Sequence, residues 1–265
     1  MLKKIHHVFF QEIPVAGRPA RLMDVDAARG LAIILVVIGH IISQGEVPAD
    51  NNWFVILMDM IYQFHMPFFM VLCGITFALS LPVFRSLGEL RTYSLKRVMP
   101  LLVPFVLLGL IVVVGKQVAM QFLDVSNPPG NFLSSVAMLP FDPTESSVRF
   151  LWFIYVLAIY LVLVPLFFYA VGRRPVLLLV LGAGLQFFSW PEELALRATV
   201  EYLPFFALGA VLWIYRTWWT PVAGWLCWGG MVVFVGLLFY SNFYPNHYPV
   251  PRWLTGAVCI LPLLG

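Results

Sequence analysis

Stretches of roughly 20 predominantly apolar residues recur along this 265-residue chain, and that is the length a helix needs to cross the hydrocarbon core of a bilayer. Eight can be read, at residues 27–43, 54–81, 98–118, 150–171, 175–190, 200–215, 221–241 and 253–265. No single soluble core buries so many. Composition agrees: 61% of residues are hydrophobic and 11% charged, where soluble domains run nearer one half and one quarter. The expected fold is an all-α, polytopic transmembrane bundle. Residues 1–22 read as a short cytoplasmic tail with no apolar signal region. Residues 23–265 form the membrane domain, and the chain stops within the eighth stretch, as a truncated or shortened bundle would.

Loop charges set the orientation. With the amino terminus inside, Lys3, Lys4, Arg18, Arg21, Arg29, Arg85, Arg91, Lys96, Arg97, Arg173, Arg174 and Arg216 fall on the inner side. Lys116, Arg149, Arg197 and Arg252 fall outside, so most of the 16 Lys and Arg obey the positive-inside rule. Such dispersed charge makes no nucleic-acid patch. Cys73, Cys227 and Cys259 lie in apolar stretches without C-x-x-C spacing, which gives neither a disulfide framework nor a metal site. The outer loop at 119–149, with Asn127-Pro128-Pro129-Gly130 and Asp142-Pro143, reads as irregular chain able to fold back over a cavity. Pro67 predicts an irregular turn at His65-Met66-Pro67 in the second stretch.

Arg29 and His40 stand eleven residues apart in the first stretch. On a helix that separation is about 20° past three full turns, so both occupy one face, about 16 Å apart along the axis. Ionisable groups at such depth cost roughly 2.5–3.5 kcal/mol on insertion scales and point to function. A neutral imidazole at His40 suits general-base work; helix-to-helix hydrogen bonding is its structural alternative. Arg29 can bind phosphate through its planar fork, or can snorkel to headgroups and pair with Asp26 at i, i+3.

Other candidates carry similar alternatives. Arg85, Arg91, Lys96 and Arg97 set topology or bind an anionic cofactor such as coenzyme A. His65 lines the cavity or holds the helix entrance, and with His40 it lacks a third metal ligand. Glu201 orients a histidine, binds a sugar hydroxyl or marks the interface. Trp152 and Tyr155 stack on a sugar or belong to the aromatic belt.

Several of these residues, in order along the chain, resemble the membrane acyltransferase 3 family. Asp26-x-x-Arg29-Gly30 with His40 looks like its first-helix signature, and Phe64-His-Met-Pro-Phe-Phe69 with Cys73-Gly74 its second. Arg97-Val-Met-Pro100 is similar to its third-helix entry, Leu151-Trp-Phe-Ile-Tyr155 to its fourth-span motif, and Leu203-Pro-Phe-Phe-Ala-Leu-Gly209 to a later one. The resemblance implies an integral membrane O-acyltransferase, transferring acetyl from cytoplasmic acetyl-CoA to a carbohydrate or glycolipid hydroxyl, in a bacterial inner membrane. It implies His40 as catalytic, and Arg29 and Arg97 as donor-binding. The chain departs from the family at Cys73, where serine is common, and at Ser94, where many members have arginine and Lys96 is the nearest substitute. It also carries fewer spans. A transporter or flippase of an anionic or sugar-linked substrate is the rival reading, and a non-catalytic scaffold the third.

Overall fold

The computed structural model describes residues 23–43, 52–125, 128–141, 148 and 151–243. Helices dominate, with no strand among the described residues. They are α1 (Met23–Ser43), α2 (Asn52–Ser80), α3 (Leu87–Ala119), α4 (Phe132–Phe141), α5 (Trp152–Val171), α6 (Pro175–Leu185), α7 (Leu196–Ile214), α8 (Arg216–Trp219) and α9 (Ala223–Phe243). Among the described residues, Leu87–Ala119, Trp152–Val171 and Glu193–Ile214 are long and apolar enough to cross a membrane, and the bent pair Arg216–Leu226 and Trp228–Leu237, at 54°, makes up to four. Phe64–Ser80, Phe132–Phe141 and Pro175–Leu185 are shorter apolar helices.

Three details differ from the sequence expectation. The second stretch runs as unbroken helix through Pro67, with no irregular turn. The 119–149 loop contains α4, ten residues long, which packs against α3. The fifth stretch is helical only to Leu185, eleven residues, or about 16 Å against a core of about 30 Å. The tail and the eighth stretch lie outside the described residues.

The chain divides into two compact units. In the first, spanning Met1–Leu81, Pro175–Leu179 and Pro204–Gly265, α1 packs on α2. Ala32, fully buried, meets Phe68 and Leu72, with Ala28, Phe64, Phe69 and Ile75 around them. Against α2 lies α7, at a crossing made by two glycines. A Cβ on Gly74 would sit 1.9 Å from the Phe206 carbonyl oxygen, and one on Gly209 would sit 2.0 Å from that of Val71. The two backbones touch where neither residue has a side chain, the close approach that small residues permit in membranes.

In the second unit, Pro82–Arg174 and Val180–Leu203, α3 packs along α5, and Leu139 of α4 fills the space over Gly109. Phe105, Leu139, Val148 and Leu151 form its core, with Val112, Ile154 and Tyr155 against them. Proline at 204 gives α7 no N–H for the Val200 carbonyl four residues back. Gln186 Nε2 donates to that carbonyl at 2.6 Å, and Tyr160 Oη donates to the Thr199 carbonyl at 2.6 Å. Gln186 thus satisfies the carbonyl that a membrane proline frees, and Tyr160 adds a second bond to the same turn. Gln186→Leu removes the donor and leaves the Val200 carbonyl orphaned. A loss of about 1–3 kcal/mol is expected, read as a fall in melting temperature of the detergent-solubilised protein that Gln186→Glu, which accepts but does not donate when ionised, reproduces.

Candidate functional site

Helix α1 is continuous from Met23 to Ser43, which keeps positions 29 and 40 in their eleven-residue register. The His40 side chain lies outside the described residues. Arg29 is half-buried and lies close enough to Cys73 on α2 for its charge to act on the thiol. Cys73 is 4% exposed, so this neighbour is a protein-interior one. Asp26, one turn earlier, is exposed.

Cys73 precedes the glycine that meets α7. The α1 signature, the α2 Cys73-Gly74 pair and the Phe206 to Gly209 part of the α7 motif therefore converge in one compact unit. Sequence reasoning took them as separate matches. Cys73, a departure from the family pattern, is buried beside Arg29.

His65 is also interior, 3% exposed. Its Nδ1 lies 2.6 Å from the Ile61 carbonyl oxygen, an acceptor, so Nδ1 carries the proton. The Tyr62 ring meets it edge-on, centroids 5.3 Å apart. That contact to its own helix favours the structural alternative for His65.

On α3, in the other unit, the basic positions face different ways. Lys96 and Arg97 are exposed and Ser94 is buried. Lys96 is two residues, or about 200° of helix, from Ser94, so it does not replace an arginine at that position. Ser94 lies on the packed face with Leu90 and Val98, and its hydroxyl has no hydrogen-bond partner. The Arg97 guanidinium stacks over the Tyr93 ring at 5.3 Å, which fixes its orientation.

The aromatic and acidic candidates separate likewise. Trp152 pairs with Tyr202, centroids 5.1 Å apart and planes tilted by 34°; Tyr202 had no signal of its own in the sequence. Tyr155 packs with Phe105 at 6.0 Å, inside the apolar core. Arg197 bonds Glu192 and feels the charge of Glu201 one turn on, so Glu201 belongs to an acid–base ladder. The turn before α7 holds two non-glycine residues at left-handed φ, Leu194 at 55° and Ala195 at 51°, each costing of order 1–3 kcal/mol. Among the described residues no three His, Cys, Asp or Glu side chains gather as a metal site would require.

This order of motifs, with Arg29 half-buried beside Cys73-Gly74, is accompanied by a family match covering residues 23–265, described as an acyltransferase domain. The chain belongs to the membrane acyltransferase 3 family. No curated protein and no solved structure matches it. As a family member it is an enzyme that transfers acyl groups, embedded in a bilayer through apolar helices, and it uses an acyl donor. Residues Phe205 to Gly209, which resemble the family's later Phe-Phe-x-x-Gly motif, bring Gly209 to the α2–α7 crossing.

Proposed function

We propose that this acyltransferase moves acetyl from cytoplasmic acetyl-CoA to a hydroxyl of an exported carbohydrate or a glycolipid, in a bacterial inner membrane. On this reading eight membrane stretches cross or enter the bilayer, and the amino terminus is cytoplasmic. The place of Arg29 is the observation that supports it: a half-buried guanidinium beside the buried Cys73 keeps its charge available to an anionic ligand, and phosphate is the anion guanidinium binds best. Arg29 holds the donor. Arg97 and Lys96 are carried as further donor-binding cations, Lys96 adding charge at the rim from its exposed position. Trp152 offers a ring to the acceptor, with Tyr155, Glu201, His65 and Asp26 in supporting places.

His40 takes the proton from the acceptor hydroxyl as its oxygen attacks the thioester carbonyl. The C–S bond breaks, and the imidazolium returns the proton to the departing thiolate of coenzyme A. Acetyl ends on oxygen, and no metal or redox partner is needed to balance the step.

Purified protein incubated with labelled acetyl-CoA and a panel of sugars and glycolipids should place the label on acceptor in covalent form. Label that crosses a vesicle membrane but never leaves coenzyme A would establish the transporter reading instead. Arg29→Gln should raise the KM for acetyl-CoA about tenfold or more, the worth of one charge-assisted contact, with a smaller change in kcat. An unaltered KM removes Arg29 from the donor site.

A further inference from the structure

Trp152 is the first residue of α5, and its neighbour Leu151, 4% exposed, is packed into the apolar core with Phe105 and Leu139. The backbone beneath the indole is therefore fixed. Its plane is set from another helix, by Tyr202 in the second turn of α7, whose ring lies 5.1 Å away at a tilt of 34°. Both rings are half-buried, so each keeps some surface that neither the core nor its partner covers. Tyr155, one turn further along α5, packs instead on Phe105.

The start of α7 is held from several sides. Tyr160 Oη donates to the Thr199 carbonyl and Gln186 Nε2 to the Val200 carbonyl, each at 2.6 Å. With the Trp152 ring against Tyr202, other segments tie down three of the four residues 199–202. The same corner retains two kinds of cost. Leu194 and Ala195 sit at left-handed φ, 55° and 51°. Thr199 is 7% exposed, and its hydroxyl has no hydrogen-bond partner among the described residues. Backbone strain persists only where the surroundings over-determine it, and it gathers at binding and catalytic sites. An unsatisfied buried hydroxyl is likewise an exception that needs a reason. All of these residues belong to one compact unit, Pro82–Arg174 with Val180–Leu203.

A rigid, partly open indole at the head of two helices suits a ligand with a flat apolar face and polar edges. A pyranose ring is one: its axial C–H groups make a slightly positive face that meets the negative face of the indole, while its hydroxyls stay in water around the rim. An aromatic held in place beforehand gives contact area at little entropic cost on binding.

We propose that the corner between α5 and α7 seats the sugar ring of the acceptor, that the ring stacks on Trp152, and that Tyr202 is the positioning residue that holds the indole plane. The inference rests on the transferase reading above and deepens it: the acceptor is recognised by ring shape and not by the order of its hydroxyls. Maltotriose therefore serves as a probe, and sorbitol, a polyol without a ring, as its control.

The full chain in lipid nanodiscs is titrated with each, and saturation-transfer difference NMR is read on the ligand protons. Saturation should fall on the ring C–H protons of maltotriose, with sorbitol silent. Trp152→Leu should abolish it. Tyr202→Leu should weaken the maltotriose Kd about fivefold, the worth of one aromatic pair, and Tyr202→Phe should keep the parent value. A general loosening of α7 would lower acetyl-CoA affinity too, which should stay unchanged in all three variants. Sorbitol saturated as strongly as maltotriose, maltotriose left unsaturated, or Trp152→Leu behaving like the parent would each overturn the proposal. Equal affinities in Tyr202→Leu and Tyr202→Phe would take the positioning role from Tyr202. Maltotriose held by a protein that transfers label to no sugar would end the transferase reading and leave the sugar seat standing; transfer without maltotriose binding would end this inference alone.

Discussion

Gly74→Ala is expected to destabilise the protein strongly, and Gly209→Ala to do the same. Each Cβ would arrive about 2 Å from a carbonyl oxygen of the facing helix, 1.9 Å for Gly74 on Phe206 and 2.0 Å for Gly209 on Val71. Real contacts need about 3.5 Å, so α2 and α7 would have to part by more than 1 Å. The obstructing atoms are backbone and cannot rotate away as a side-chain end can. Overpacking in adaptable cores costs about 1–3 kcal/mol; here, with no rotamer to yield, the loss should reach or exceed the top of that range. Against total stabilities of about 5–15 kcal/mol, that is a large share of the margin, so the melting temperature and the yield of folded protein from a membrane extract should both fall. The measurement is the melting temperature and the monodisperse yield on size exclusion. Gly115→Ala is the comparison, since a Cβ there meets nothing within 4 Å and the change should be neutral or slightly stabilising through helix propensity. If Gly74→Ala melted with Gly115→Ala, the close crossing of α2 and α7 would be wrong.

That crossing also shows what one sequence discloses and what it hides. The apolar stretches announced helices α1, α2, α3, α5 and α7, because hydrocarbon thickness fixes length and charge fixes ends. Arg29 could be placed with position 40 on one face because helical rotation is local arithmetic. Which glycine meets which is not local: Gly74 and Gly209 are far apart in the chain, and nothing in either segment names the other. The same holds for Gln186. Proline at 204 announces a freed carbonyl, but only the packed chain chooses Gln186 as its donor. Helix α4 stayed hidden because its ten residues sit among prolines and carry too few turns to show a period. Pro67 misled in the other direction, since a membrane helix carries a proline without breaking. Lys96 looked interchangeable with a residue at 94 by proximity in sequence, whereas helix geometry puts the two on opposed sides.

His40→Ala should lower kcat for acetyl transfer by about 10²–10⁴, the usual contribution of a positioned general base, and should leave the KM for acetyl-CoA close to its starting value. The split follows from the proposed division of labour. Arg29, half-buried beside Cys73, acts on the donor in the ground state, so its loss appears in KM. His40, three turns further along an unbroken α1, acts only as the acceptor hydroxyl loses its proton, so its loss appears in kcat. Kinetics must be read on protein whose melting temperature matches the parent, because an interior substitution can also loosen a helix contact. His65→Ala supplies the contrast. Its Nδ1 bonds the Ile61 carbonyl of its own helix, and loss of that bond is expected to cost about 1 kcal/mol of stability, seen in melting before it is seen in turnover. A His40→Ala enzyme that retained kcat within a factor of about three, far inside the range for a general base, would take the proton transfer away from α1 altogether.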